Sequence, residues 1–154
     1  NETCKDAMNL TDFVNSLTIA LDDFERFGSH GYIEGISNIF IKGLKQLDIT
    51  KRPIHCTDLK RETIYLKAKN VWEKEDDERN TIKKAIKSIA YKNTKVLPAW
   101  KEANPLCMDI TSKKNTQYMK ILSESMGAYT EEEHEANCNK IIKNVLREVT
   151  IDKN

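Results

Sequence analysis

Long apolar runs are missing from this chain of 154 residues, and none approaches the ~20 residues that a helix needs to cross a bilayer. The opening stretch, "NETCKDAMNL", lacks the basic and apolar segments of a secretory signal. The four cysteines, Cys4, Cys56, Cys107 and Cys138, include no Cys-x-x-Cys pair. We therefore predict a soluble chain with no membrane partner, whose thiols stay reduced in an intracellular setting.

An excess of one charge is also missing, since 25 lysines and arginines face 24 aspartates and glutamates for a formal net charge of +1. Net charge alone therefore favours no class of partner. A surface for nucleic acid would have to come from local segregation of charge. Apolar residues make up 39% of the chain and charged residues 32%, which is polar but still typical of a folded domain.

Repeats, low-complexity tracts and linkers are absent too, so we predict a single domain over residues 1–154. A domain of this length buries about 70% of the surface of its unfolded chain, and it can hold a core without disulfides. The sequence begins without Met and in mid-pattern. We therefore expect the domain to be a C-terminal fragment of a larger polypeptide.

Apolar residues recur at helical spacing along most of the chain. Residues 10–27 and 31–47 predict a helical hairpin in which Gly28 ends the first helix. Pro53 disfavours a helix after the hairpin and predicts a loop through "KRPIHCTD". The alternating "ETIYLK" and the following "VWEKE" then predict a two-stranded β-hairpin with Asn70 in its turn.

Three further helices are predicted in the second half of the chain. The clearest pattern covers residues 79–97, and residues 98–112 form a connection with one helical turn. A short helix follows over residues 113–126, and Thr130 with Glu133 forms a capping box at the start of the last helix. The predicted fold class is mostly α, a single helical domain of five or six helices with one two-stranded β-hairpin, which makes a small α+β arrangement.

The helix over residues 79–97 places its isoleucines on one side and five lysines on the other, with Tyr91 among the lysines. Lysines neutralise phosphates and an aromatic ring stacks on a base, so this face predicts sequence-independent binding of nucleic acid. A solvated outer face is the alternative interpretation. The prediction gains weight if Lys51, Arg52, Lys60 and Arg61 lie on the same side of the folded domain as these lysines. The candidate residues are Lys60, Arg61, Lys83, Lys84, Lys87, Tyr91, Lys92 and Lys95.

His55 and Cys56 are adjacent, and a thiol next to an imidazole suggests a catalytic nucleophile and its base. Neighbouring residues of an extended chain point to opposite faces, so we predict no catalytic pair here and favour a structural role. Zinc is the one cofactor that the sequence leaves open. His134 and Cys138 are four residues apart on a helix and could share an ion with Cys56, Cys4 or Cys107, although Cys138 also fits the apolar stripe of its helix.

Several stretches resemble the conserved C-terminal region of uncharacterised giant-virus zinc-finger-like proteins. They are "CKDAMNLTDFVNSL", "GYIEGISNIFIKGLKQLD", "KRPIHCTDLKRETIYLK", "VWEKE", "IKKAIKSIAYKN" and "KIIKNVLREV". The resemblance implies no catalytic residue. It implies a module that accompanies a nucleic-acid-reading or regulatory segment on the same viral polypeptide, in the cytoplasm or nucleus of an infected cell or in the virion.

The function that we predict is a non-enzymatic module that binds nucleic acid or another protein through the lysine-rich helix face. One alternative is an assembly module that forms a homodimer through the helix over residues 32–47 or through the last helix. A second alternative is a metal-dependent hydrolase or nuclease with a metal bound at His55 or His134.

Overall fold

The computed structural model describes residues 4–151. Within them it contains six α-helices and three β-strands, a mostly helical fold with a small antiparallel sheet, as predicted. The elements in chain order are α1 (Leu10–Ser16), α2 (Leu21–Lys45), β1 (Ile54–Asp58), β2 (Thr63–Ala68), β3 (Val71–Lys74), α3 (Asn80–Thr94), α4 (Leu97–Ala103), α5 (Lys113–Ser125) and α6 (Glu131–Val149). None of the described helices is both long enough and apolar enough to span a membrane.

The first two helices differ from the prediction in their boundaries. The chain leaves the helix after Ser16 and α2 begins at Leu21, where the Asp23 carboxylate accepts the Ala20 backbone N–H at 3.0 Å and caps the new helix. Gly28 does not end a helix. A Cβ atom at position 28 would lie only 2.9 Å from Cγ1 of Ile121. The glycine therefore permits the close approach of α5 to α2. The break in α2 is instead a kink at Gly31, whose φ is +87°.

The sheet has three strands in the order β1-β2-β3, one more than predicted. The segment predicted as a loop is strand β1, which pairs antiparallel with β2 through Ile54 opposite Leu66 and Cys56 opposite Ile64. Pro53 precedes the strand, where its missing N–H costs no sheet bond. The predicted turn at Asn70 is confirmed, and both Lys69 and Asn70 have positive φ values of 50° and 66°.

Both faces of strands β1 and β2 are largely covered. Ile54, Cys56, Ile64 and Leu66 face the helical core and are buried. The opposite face carries His55, Lys67 and Trp72, and the segment before α1 lies across it. The Lys67 ammonium is buried there and donates to the carbonyl oxygens of Lys5 and Ala7 at 2.7 and 2.9 Å. Strands β1 and β2 therefore lie between the helical core and the segment before α1, whereas β3 is an edge strand on which Val71, Glu73 and Lys74 are exposed.

The predicted helix over residues 79–97 ends earlier, at Thr94, and a separate helix α4 starts at Leu97. Pro98 lies in the first turn of α4, where a missing N–H is harmless, so it starts a helix instead of following one. Acidic residues precede α3 and bond to its first backbone N–H groups. The Glu75 carboxylate accepts the Ile82 N–H at 2.8 Å and Asp76 accepts the Asn80 N–H at 3.1 Å.

The last two helices follow the prediction closely. Gly127, with φ of +74°, comes just after α5 in the left-handed conformation typical of a helix stop. The Thr130 hydroxyl accepts the Glu133 N–H at 3.1 Å and caps α6. The Glu133 carboxylate reaches one residue further back than a capping box requires and accepts the Tyr129 N–H at 3.2 Å.

The core has two parts. The larger joins α1, α2, α3, α6 and the inner sheet face, and the smaller joins Phe24, Trp100, Cys107 and Ile121. The apolar sides of α2 and α6 both lie in the larger part. In the assembly alternative, the helix over residues 32–47 or the last helix would therefore have to pair with a second copy through its exposed side.

Candidate nucleic-acid interface

The outward side of α3 is the surface that the sequence selected. Ile82, Ile86 and Ile89 are fully buried and orient the helix, and the exposed residues fall on the opposite side. The predicted amphipathic pattern of α3 is therefore confirmed. The five lysines, however, do not share one environment.

Lys83 and Lys92 flank the outward side, and both have protein partners. The Lys83 ammonium lies 2.7 Å from Oε2 of Glu135 on α6, and this hydrogen bond lowers the pKa of the Glu135 carboxyl. The Lys92 ammonium donates to the carbonyl oxygens of Val14 and Asn15 at 3.2 and 2.8 Å. Those carbonyls belong to the last turn of α1, so Lys92 satisfies a helix C-terminus. Both lysines hold α3 to its neighbours.

The remaining residues form what we call the α3 basic face, which consists of Lys84, Lys87, Tyr91 and Lys95. Among residues 4–151 none of its three lysines forms an ion pair. The Tyr91 side chain is 64% exposed, and the Lys95 ammonium lies 4.8 Å from the centre of its ring. From Lys84 to Lys95 the face extends about 16 Å along the helix.

A surface depression of about 760 Å³ follows this face and reaches the end of α1. Its lining adds Val14, Asn15 and Ser88 to the basic residues. The described lining contains no carboxylate, so the depression offers positive charge beside an exposed aromatic ring.

Lys60 and Arg61 lie in the turn between β1 and β2 and do not join the α3 basic face. Nε of Arg61 is 3.8 Å from the Asp58 carboxylate, although 84% of its side chain is exposed. The same turn is held against the start of α3 by an ion pair between Glu62 and Arg79. A separate depression at the start of α3 is lined by four carboxylates as well as by cations. The carboxylates belong to Glu62, Asp77, Glu78 and Glu135. The turn therefore meets α3 at an end rich in carboxylates.

Arg52, in the same basic stretch, is a structural residue. Its Nε donates to the Leu44 carbonyl oxygen at 3.0 Å, and Nη1 donates to the Glu148 carbonyl oxygen at 3.2 Å. Nη2 lies 3.6 Å from the Glu148 carboxylate. One guanidinium thus satisfies the C-terminal turns of both α2 and α6, where a cation is stabilised by the helix dipoles.

His55 and Cys56 point to opposite faces of the sheet, as predicted. Cys56 is in the core, where burial raises the pKa of its thiol. Nε2 of His55 lies 3.4 Å from Sγ of Cys4, and its ring packs on Trp72. Burial, and then the charge of Arg52, lower the pKa of His55. The contact with Cys4 was missed from the sequence because 51 residues separate the two.

Cys56, His134 and Cys138 do not converge on one zinc site. His134 and Cys138 are neighbours, with 3.7 Å between Nε2 and Sγ, and burial raises the pKa of the Cys138 thiol. Cys56 instead pairs with Thr150 at the far end of α6, about 18 Å away along the helix. No group of three His, Cys, Asp or Glu residues suited to a metal occurs among the described residues. A hydrolase centred on this set would need another ligand.

A second basic row was missed from the sequence although its spacing was visible. Lys140, Lys143 and Arg147 are exposed on α6 at intervals of three and four residues, the intervals that separate Lys84, Lys87 and Tyr91. This row includes no aromatic side chain. It offers a surface of matched charge with which the α3 basic face can be compared.

No family model, curated protein or solved structure matches this chain significantly.

Proposed function

We propose that this chain is a non-enzymatic module of a larger viral polypeptide and that the α3 basic face binds nucleic acid. The observation that carries the proposal is the pairing of exposed Tyr91 with three lysines that have no carboxylate partner in the described part of the chain. Free ammonium groups can neutralise phosphates, whereas paired ones would first have to give up an ion pair.

The resemblance to giant-virus proteins with zinc-finger-like segments supports the same proposal. When a second binding module lies on the same polypeptide as a nucleic-acid-reading segment, it adds affinity because the shared ligand is held at a high effective concentration. The setting that we propose is the cytoplasm or nucleus of an infected cell, or the virion. Lys83 and Lys92 are left out of the proposed interface because they stabilise the domain.

Binding of a fluorescently labelled oligonucleotide at two salt concentrations tests the proposal. Three phosphate contacts predict an affinity about 20-fold lower at ~200 mM than at ~50 mM salt, from a slope of about −0.7 per contact on a single strand. The triple variant Lys84→Glu, Lys87→Glu, Lys95→Glu is expected to lose most of the affinity that wild type shows at low salt.

The matched control is the triple variant Lys140→Glu, Lys143→Glu, Arg147→Glu, which changes the net charge by the same amount on α6. It is expected to bind more tightly than the α3 variant at both salt concentrations. The proposal is wrong if wild type does not bind at low salt, or if the two variants lose equal affinity.

Self-assembly is a second candidate function, in which the partner is another copy of this chain. The observation that favours it is a cluster of apolar side chains around the connection before α5, since Leu106, Met108 and Ile110 are 58%, 59% and 86% exposed. Sedimentation equilibrium decides this candidate. A monomer at high protein concentration would rule it out, and a dimer dispersed by Ile110→Asp would support it.

A further inference from the structure

We propose that the α3 basic face selects single-stranded nucleic acid, with a base stacked on Tyr91 and phosphates held by Lys84, Lys87 and Lys95. This inference rests on the proposed function and adds the class of ligand. It depends on how the ring, the lysines and the depression are arranged.

The position of Tyr91 is the first reason. Its ring is 64% exposed and has a lysine on each side along the helix, at positions 87 and 95. A single strand presents the faces of its bases, and stacking on an aromatic side chain requires such a face. A duplex hides those faces between neighbouring base pairs, so it could use the ring only after partial unstacking, at a cost of about a few kcal/mol per step.

The shape and chemistry of the depression are the second reason. Its volume of about 760 Å³ lies within the range of sites that hold small organic ligands. The lining combines Val14 and Tyr91 with lysines, each of which carries an apolar stem below its ammonium group. A base with its attached phosphate has the same combination of a flat apolar surface and a negative charge. The outer surface of a duplex presents mainly sugar and phosphate.

The end of α1 is the third reason. A helix C-terminus carries partial negative charge that would repel a phosphate near Val14 and Asn15. The Lys92 ammonium lies 2.8 Å from the Asn15 carbonyl oxygen and offsets that charge. Lys92 therefore lets an anion approach this end of the depression, although it is not counted among the phosphate ligands.

Weak sequence preference follows from the same lining. Lysine recognises phosphate as a point charge, whereas adenine and cytosine are read mainly by asparagine, glutamine or carboxylates. Asn15 is the one residue of that kind in the described lining of the depression. We therefore expect homopolymers of different bases to bind with similar affinity, apart from differences in stacking strength.

The experiment compares four probes of about twelve nucleotides at low salt: oligothymidylate, oligoadenylate, a duplex of the two, and an abasic strand with the same phosphates. Wild type is expected to bind oligothymidylate and oligoadenylate at least about ten-fold more tightly than the duplex. Tyr91→Leu should weaken oligothymidylate binding about ten-fold, and Tyr91→Phe should retain it because the ring is kept. The abasic strand should bind wild type as weakly as oligothymidylate binds Tyr91→Leu.

Tyr129→Leu is the matched control, because Tyr129 is 78% exposed and does not line the depression. It should leave the affinity for every probe unchanged. Duplex binding as tight as single-strand binding, or no effect of Tyr91→Leu, would overturn the single-strand inference and leave the proposed function in place. Failure of every probe to bind at low salt would overturn the proposed function itself.

Discussion

The Lys92 ammonium lies 2.8 Å from the carbonyl oxygen of Asn15, 77 residues earlier in the chain. A lysine that the sequence assigns to a binding face thus completes the C-terminus of α1. Lys92→Met should lower the free energy of unfolding by about 1 kcal/mol, since it removes a cation from exposed helix carbonyls. Urea unfolding measures this loss. Lys87→Met, on the exposed side of the same helix, should change stability little, and an equal loss in both variants would contradict the assignment.

Substitution of Arg52 should lower stability more than substitution of a surface arginine, because its guanidinium donates hydrogen bonds to Leu44 and Glu148 at the ends of two helices. Arg52→Lys keeps the charge but cannot reach both carbonyls, and we expect a loss of about 2 kcal/mol in unfolding free energy. Arg147→Lys makes the same chemical change on an exposed side chain and should stay within about 0.5 kcal/mol of wild type. Chemical denaturation of both variants tests the prediction, which fails if their midpoints coincide.

His55 predicts that stability falls as the pH drops below about 6.5, the ordinary pKa of histidine in an unfolded chain. Burial, and then Arg52, lower the pKa of His55 in the folded protein, so the unfolded state takes up a proton that the folded state resists. The contribution of neutral His55 to the free energy of unfolding is therefore present above about pH 6.5. It is lost as the pH falls toward the pKa of His55 in the folded protein. His55→Gln should reduce the change in melting temperature between pH 7.5 and 5.5. A change in His55→Gln as large as in wild type would be incompatible with this origin.

The four free cysteines should separate into one reactive thiol and three protected ones. Cys4 is partly exposed, whereas Cys56, Cys107 and Cys138 are buried. Burial also raises the pKa of Cys56 and Cys138, which lowers the fraction of reactive thiolate. A chromogenic thiol reagent should modify one site in a fast phase in the native protein. Cys4→Ser should abolish that fast phase, whereas Cys107→Ser should retain it. Rapid modification of a second site in native protein would show that the core opens readily.

Helices α3, α5 and α6 were predictable because each buries one side and exposes the other, so the period of the pattern is visible in the sequence. Strand β1 was not, since His55 and Cys56 are both buried and no polar alternation marks the strand. The break between α1 and α2 was hidden for a related reason. Phe13 and Phe24 keep a helical spacing across it, although they pack in different parts of the core.

The order of residues alone places the lysines on the side of α3 opposite its isoleucines, because helical periodicity is a local property. Which of those lysines can bind a ligand depends on the partners that folding brings to them. Lys83 and Lys92 find partners 52 and 77 residues away, and Lys84, Lys87 and Lys95 have none among the described ion pairs. Hydrogen bonds act over about 3 Å between groups that folding brings together, so no spacing along the chain can reveal them.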